Sequence, residues 1–264
     1  MIVGGGVGGL VAAKRLWQRL NGGHRITVID QSAVHVFQPS LLWVADGTRN
    51  PDRIARPLAR LERRGITFRH GRVDALDPAG RRVRVDGGDV PYDMLVLAPG
   101  AELRPHSLPG LAESGANLYT VDGAAHIGRS IAQFSGGRVV VLIAALPFKC
   151  PAAPYEAAML LEARLRRRGV RARNGKPLPK AGVFAEGEAE VVARNIASFV
   201  RGTVSAAAFD GAGECFLEMG DGRAGFATGN FYALPDPAVR LKTPGRRWHW
   251  AKVWFEKTWF PRWL

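Results

Sequence analysis

The chain has 264 residues and is 47% hydrophobic, which allows a sizeable buried core and suggests one large domain or two modest ones. Its formal net charge of +14, carried mostly by arginine, favours an anionic partner such as nucleotide phosphate, an acidic membrane surface or nucleic acid; a solvated surface without a partner is the alternative. Two cysteines are too few for a disulfide framework, and the sequence has neither an export signal nor a run of roughly 18 apolar residues. We therefore expect an intracellular chain that does not cross a membrane.

The opening segment MIVGGGVGGLVAAKRL predicts a short strand, a tight turn and a helix. Gly4, Gly6 and Gly9 have the G-x-G-x-x-G spacing, in which the glycines permit the turn, the approach of backbone to a pyrophosphate and close packing of helix on strand. A second strand, RITVID, ends at Asp30, 21 residues after Gly9, where a carboxylate can accept hydrogen bonds from ribose hydroxyls. The pattern predicts a dinucleotide site; a glycine-rich turn without a ligand is the alternative.

The next segments predict elements that return to this nucleotide core. HVFQPSLLWVADG is typical of a loop and a short helix, ARPLARLERRG of a basic amphipathic helix, and ITFRHGRVDALD, RRVRVDGGDVPY and DMLVLAPGAEL of strands. GGRVVVLIAAL, residues 136–146, predicts a buried parallel strand, followed by a helix over 154–168. The turn between them reads PFKCP, and its side chains would obstruct a second pyrophosphate.

Two further helices are predicted near the C-terminus. KPLPKAGVFAEGEAEVVARNIASFV predicts a loop and then a helix whose apolar face contains Ala189, Val192, Ala193, Ile196 and Phe199. The tail holds five of the seven tryptophans, interleaved with Arg246, Arg247, Lys252, Lys257 and Arg262. That mixture favours an interfacial segment on an anionic membrane. A core-packing or dimer-forming helix is the alternative, and an RNA-stacking surface is disfavoured, so no nucleic-acid partner is expected.

The glycine loop, Asp30, FQPSLLW and YDMLVLAPG resemble the two-dinucleotide-fold flavoproteins, whose first nucleotide site holds FAD. The chain has Ala98, Pro99 and Gly100 where that group commonly has Ala-Thr-Gly. PFKCPAAPYE, GECFLEMGDGRAGF and WHWAKVWFEKTWFPRW resemble the sulfide:quinone oxidoreductase and flavocytochrome c sulfide dehydrogenase branch. The resemblance implies an α/β, Rossmann-like FAD-binding fold, a truncated second nucleotide domain and a C-terminal α+β region.

The same resemblance implies that Cys150 and Cys215 are a catalytic redox pair beside the flavin. Electrons would pass from sulfide or a small thiol donor through the pair and FAD to a quinone. A cation such as Lys149 or Lys180, and the start of the following helix, are expected to lower the thiol pKa values. Two inert core thiols are the alternative.

FAD is expected to be noncovalent, because HVFQPSLLW lacks the cysteine that a covalent linkage would need. The resemblance places Lys180 and Gly182 against the pyrimidine end of the flavin. The residues expected to bind the cofactor are Gly4, Gly6, Gly9, Asp30, Val73, Gly100, Lys180 and Gly182.

Most of the second nucleotide domain is absent, and with it the Gly-Asp motif whose carboxylate holds the middle of the flavin cofactor in the resembled proteins. We assign residues 1–135 and 174–205 to the FAD-binding domain, 136–173 to a remnant of the second nucleotide-binding domain, and 206–264 to a C-terminal region with a membrane-associating tail. The expected location is cytoplasmic, peripheral on the inner face of the cell membrane. The alternatives are a relative of the type II NADH:quinone oxidoreductases and a noncatalytic truncated remnant.

Overall fold

The structure is a computed structural model that describes residues 1–137, 139–144, 148–150, 152–170, 184–203, 207, 210, 212–230, 233 and 238–264. The strands of this part are β1 (Ile2–Val3), β2 (Thr27–Asp30), β3 (Val34–Val36), β4 (Ala55–Pro57), β5 (Thr67–His70), β6 (Val73–Asp77), β7 (Arg82–Val85), β8 (Gly88–Pro91), β9 (Val96–Leu97), β10 (Ala212–Gly220), β11 (Arg223–Asn230) and β12 (Ala238–Gly245). The α-helices are α1 (Val7–Arg19), α2 (Leu41–Ala45), α3 (Leu111–Ser114), α4 (Val121–Gln133), α5 (Ala153–Arg167), α6 (Phe184–Val200) and α7 (Arg246–Trp263).

A four-stranded parallel sheet forms the centre of the N-terminal half, with the strand order β5-β2-β1-β9. Helix α1 follows β1 and buries Leu10, Ala13 and Leu16, the periodic apolar positions of its sequence. These side chains form the main core together with Val28 of β2. A strand, a glycine turn and a helix at the centre of a parallel sheet confirm the Rossmann-like α/β fold predicted from sequence.

Two smaller sheets extend this core. Strands β6, β7 and β8 form an antiparallel meander, in which alternate residues Val83 and Val85 of β7 are buried against Ile29. Strands β3 and β4 pair antiparallel ahead of a 3-10 helix, Leu58–Arg64. An amphipathic helix was expected there, and its buried side chains, Leu58 and Leu61, have the three-residue spacing that suits a 3-10 helix.

The predicted strand over 136–146 is wrong for the residues that the structure describes. Residues 139–144 have no regular secondary structure, and the side chains of Val140 and Leu142 are 68% and 60% exposed. A buried parallel strand needs neighbours on both edges to pair its backbone, and no described strand lies beside this segment. The helix predicted after it is confirmed as α5.

The C-terminal region is α+β, as expected. Strands β10, β11 and β12 form an antiparallel sheet against which α5 and α7 pack. Helix α6 packs on α1 through Ala193 and Ala197, while Phe199 and Val192, which were expected on the apolar face, are exposed. The loop that contains Lys180 and Gly182 lies outside the described residues.

Helix α7 is partly a core helix. Trp259, Phe260 and Trp263 are buried in the main core beside α1, and Trp248 stacks on Phe226 with ring centroids 4.5 Å apart. The interfacial interpretation of the tail is therefore wrong for Trp259 and Trp263, whose indoles have no access to lipid. No described helix combines the length and apolar character that a membrane span needs.

Candidate active site

Two glycines of the N-terminal loop are required by packing. Gly4 has φ +107°, and its N–H donates to the carbonyl of Ile29 at 2.8 Å. A side chain at Gly4 would collide with the carbonyl of Ala98, and a side chain at Gly9 would collide with the carbonyl of Gly4. The loop is thus fixed against β9 on one side and against the first turn of α1 on the other.

Gly6 and Gly100 face open space. A Cβ added at either residue would meet no protein atom within 4 Å, and Gly100 has φ +75°. Gly6 is the N-cap of α1, whose first turn has neither a side-chain cap nor an acidic residue. The uncapped N–H groups and the positive end of the helix dipole leave a cradle that suits a phosphate.

Asp30 closes the loop at the end of β2. Its Oδ2 accepts the N–H of Gly5 at 2.5 Å, and its Oδ1 accepts the N–H of Ser32 at 2.7 Å. Each carboxylate oxygen has lone pairs left for a ribose hydroxyl. Val73 starts β6 and packs, half-buried, against the cluster that contains Ile29.

The two cysteines lie within electrostatic range of a buried polar cluster that contains Glu156 and Lys252. Cys150 precedes α5, has a left-handed backbone with φ +46°, and packs against the apolar cluster of Trp43 and Leu160. A positive φ in a residue with a Cβ is strained and is often found at functional sites. Cys215 lies in β10, and its thiol donates weakly to the carbonyl of Phe216 at 3.6 Å. Neither cysteine is in a disulfide.

The expectation of lowered thiol pKa values is wrong in direction. Burial raises the pKa of Cys215 to about 12, with further increases from the charges of Glu156 and Cys150. Burial and Glu156 also raise the pKa of Cys150, against smaller lowering effects from Lys252 and from the backbone N–H groups of Ala153 and Ala152. The start of α5 does stabilise a thiolate as predicted, but desolvation outweighs it. Both groups are therefore thiols at neutral pH.

Glu156 and Lys252 form a buried ion pair, with Nζ to Oε2 at 2.6 Å and side-chain exposures of 4% and 7%. The same Oε2 accepts the backbone N–H of Glu218 at 3.0 Å, which ties α5 to β10. Burial lowers the pKa of Lys252, but the charges of Glu156 and Glu218 raise it by more, so the net shift is upward. Lys252, assigned from sequence to the membrane-facing tail, lies inside the protein.

A second acidic group completes this cluster. Nδ1 of His249 lies 3.0 Å from Oε2 of Glu218, whose pKa is raised by burial and lowered, by less, by Lys252 and His249. The Trp43 ring lies against both side chains, 5.3 Å from Nζ of Lys252 and 6.3 Å from the His249 ring. Sequence reasoning missed Glu156, Glu218 and His249; the available signal was the spacing of His249 and Lys252, which share one face of α7 at i and i+3.

Comparison with known proteins places the chain in a family. Residues 1–192 match the pyridine nucleotide-disulphide oxidoreductase family, and the chain belongs to that family. The mitochondrial sulfide:quinone oxidoreductase of Mus musculus is 27% identical over 191 residues, covering 70% of this chain and 40% of that protein. A type II NADH:quinone oxidoreductase of Mycobacterium tuberculosis is 32% identical over 147 residues, covering 53% of this chain and 30% of that protein.

A solved structure supports the fold. The sulfide:quinone oxidoreductase from Aquifex aeolicus has a TM-score of 0.82 and 19% identity, covering 97% of this chain and 89% of that chain. The chain spans less than half the length of the two sequence relatives. The family is named for oxidoreductases that bind pyridine nucleotides, and the open cradle at Gly6 and Gly100 fits the pyrophosphate of a dinucleotide cofactor.

Proposed function

We propose that the protein is a noncovalent FAD-dependent oxidoreductase that passes electrons from sulfide, or a small thiol donor, to a quinone. The observation that carries this proposal is that Cys150 and Cys215 both interact with the buried Glu156–Lys252 pair. Two thiols around a buried ion pair are a suitable site for sulfur redox chemistry. The overall reaction removes two electrons from hydrogen sulfide and delivers them, with its two protons, to the quinone, and the sulfur remains as sulfane sulfur.

The FAD would be held by the loop and not by a covalent bond. Gly6 and the start of α1 would bind the pyrophosphate, Asp30 the ribose, and Gly100 would let backbone approach the cofactor. Val73, Lys180 and Gly182 are proposed contacts on the grounds of resemblance alone. When bound, FAD supplies a carrier that accepts two electrons from a thiol and releases them to a quinone.

Glu156 is proposed to accept a thiol proton. Its charge already raises the pKa of both cysteines, and Lys252 holds the carboxylate in place. Once a proton leaves Cys150, the N–H groups of Ala152 and Ala153 and the charge of Lys252 would stabilise the thiolate. Lys252 and these N–H groups thereby offset part of the desolvation that keeps Cys150 protonated at rest, once Glu156 has been neutralised by the proton it accepts.

A second candidate is NADH:quinone oxidation, which the Mycobacterium tuberculosis relative favours. The turn around Cys150 opposes it, because Lys149 and Cys150 stand where an NADH site would need glycines.

An anaerobic visible absorption spectrum of the FAD-loaded protein distinguishes sulfide oxidation from NADH oxidation. We expect sulfide to bleach the flavin and NADH to leave it oxidised. Cys150→Ser and Cys215→Ser should each abolish bleaching by sulfide at unchanged flavin content, because neither thiol belongs to the cradle. Rapid bleaching by NADH, or undiminished bleaching by sulfide in both variants, would refute the assignment.

Peripheral attachment to the inner, cytoplasmic face of the cell membrane is also proposed. Two tryptophans of α7, Trp250 and Trp254, are 60% and 69% exposed and lie four residues apart on one face. Indole rings favour the lipid headgroup region, and the protein's positive charge favours anionic lipid. The double change Trp250→Ser/Trp254→Ser should release the protein from anionic vesicles; unchanged vesicle binding would contradict the proposal.

A further inference from the structure

A broad groove of about 1070 Å³ runs along α7; its inner end reaches Glu218 and His249 of the polar cluster, and the proposed redox chemistry gives no role to the cations that line the rest. One wall is α7, and the other is the segment from residue 49 to residue 64, which contains β4 and the 3-10 helix Leu58–Arg64. The cations that line the groove are Arg49, Arg53, Arg56, Arg60, Arg64, Arg167 and Lys257.

Four carboxylates also line the groove, Asp46, Glu218, Asp221 and Glu256, against these seven cations. Arg49 is paired with Glu256 and Arg167 with Asp221. Within the residues that the structure describes, the other five form no ion pair. Arg53, Arg60 and Lys257 are exposed on the rim.

The remaining two guanidinium groups are held in fixed positions by backbone oxygens and, for Arg56, by an aromatic ring. Arg64 donates to the carbonyls of Pro261 and Leu264 at 2.8 and 3.1 Å. Arg56 donates to the carbonyl of Ala55 at 2.6 Å and lies over the Phe260 ring, 4.6 Å from its centroid. Because these contacts fix the positions of the two guanidinium groups, the groove is preorganised for an anion.

The arrangement of the cationic side chains in the groove favours a phosphate group. Guanidinium groups match phosphate oxygens in geometry, and the seven cations of the groove outnumber its four carboxylates, so its net positive charge attracts an anion. Phosphate could come from free solution or from a lipid headgroup. The edge of the groove favours the lipid, because Trp250 lines it and the exposed Trp254 follows one turn later on α7.

We propose that this groove binds the phosphate diester headgroup of an anionic phospholipid, with Trp250 and Trp254 entering the adjacent headgroup layer. This inference rests on the membrane association proposed above, to which it adds the lipid class and the binding residues. The headgroup would lie against Arg53, Arg60 and Lys257, with Arg56 and Arg64 behind it.

The experiment compares two variants that each lose two positive charges. Arg53→Gln/Arg60→Gln alters the groove; Arg63→Gln/Arg129→Gln alters exposed arginines outside it, and Arg63 lies on the same 3-10 helix as Arg60. Binding is measured by sedimentation with phosphatidylcholine vesicles that contain or lack phosphatidylglycerol. Circular dichroism verifies that both variants are folded.

We expect the groove variant to bind phosphatidylglycerol vesicles about tenfold or more weakly than the unmodified protein, since each cation near the surface contributes about 1 kcal/mol. The control should lose about twofold or less, because distant exposed charges are screened. Equal losses in both variants would mean that only total charge matters and would overturn the groove proposal.

A second measurement separates the groove from the membrane association. Dihexanoylphosphatidylglycerol below its micelle concentration is titrated into the protein and followed by phosphorus NMR, with inorganic phosphate as the competitor. Binding that the groove variant loses supports the site even if vesicles are not bound, in which case only the proposed membrane association fails. Equally tight binding of inorganic phosphate would identify an ion site and overturn the assignment to lipid, as would the absence of any binding.

Discussion

Trp259 of α7 donates its indole N–H to Nε2 of His35 at 3.3 Å, and Nδ1 of His35 lies 3.0 Å from the carbonyl of Gly5. Because Nε2 accepts, the ring is the neutral tautomer with its proton on Nδ1, which donates to Gly5. The C-terminal helix is thereby connected through one buried histidine to the glycine loop that is expected to hold the cofactor.

This connection predicts that α7 is needed for stability. Trp259→Ala should lower the free energy of unfolding by about 3 to 5 kcal/mol, the usual cost of removing a buried Trp side chain from a core. Trp250→Ala, on the same helix but exposed, should change it by about 0.5 kcal/mol or less. Urea unfolding followed by circular dichroism measures both; equal small effects would show that α7 is a detachable tail.

A pH dependence follows from His35. Burial lowers its pKa below the ordinary value of 6.5, against smaller raising effects from Gly5 and Asp30. As the pH falls below about 6.5, the unfolded chain takes up a proton that the folded protein resists, so the free energy of unfolding should fall, and level off once the pH is below the folded pKa. His35→Gln should remove this contribution; the difference between the two stability curves isolates it. An identical pH dependence of the free energy of unfolding in the unmodified protein and in His35→Gln would contradict the prediction.

The buried pair should control thiol reactivity in opposite directions. Glu156 raises the pKa of both cysteines and Lys252 lowers both, so Glu156→Gln should speed alkylation by iodoacetamide at pH 8 and Lys252→Met should slow it. Each change leaves one charge unpaired and should destabilise the fold by about 3 to 5 kcal/mol. Loosening of the fold would speed both reactions, so opposite signs distinguish electrostatics from unfolding. Glu162→Gln, a partly exposed carboxylate of α5 paired with Arg166, serves as the control.

Substitution of Gly6 should weaken FAD binding, whereas substitution of Gly9 should impair folding. Gly6→Ala meets no protein atom, so we expect unchanged unfolding and a loss of about 1.4 kcal/mol or more, at least tenfold, in FAD affinity, because the methyl group would occupy the phosphate cradle. Gly9→Ala collides with the carbonyl of Gly4 and should impair folding itself. FAD titration by fluorescence quenching, beside urea unfolding, tests both. Unchanged affinity in Gly6→Ala would place the cofactor elsewhere.

The sequence predicted best those elements whose backbone hydrogen bonds lie within one segment of the chain. The glycine loop, α1 and α5 were predicted from spacing and apolar periodicity because a helix satisfies its own backbone. The 136–146 segment was predicted as a strand from its apolar run alone, yet a strand needs partners that the described part of the chain does not supply. Phe199 fits the apolar face of α6 by periodicity but is exposed, because α6 packs on α1 through the small residues Ala193 and Ala197.

The polar cluster could not be predicted because its members are distant in sequence. Lys252 and Glu156 are 96 residues apart, and no pattern within α7 distinguishes the buried Lys252 from the exposed Lys257. The predicted direction of the cysteine pKa shifts was wrong for the same reason. The neighbouring cation and the helix start were visible in the sequence, whereas the depth of burial depends on how α2, α5 and α7 assemble around the thiols.

The exposed apolar residues of 139–144 bear on how the protein behaves at high concentration. An extended VVLIA stretch without charge or proline is of the type that pairs edge to edge between chains. Self-association should therefore start at this segment rather than at the exposed tryptophans, and Val140→Lys would raise the concentration at which the protein remains monomeric without touching the core, the thiols or the cofactor loop.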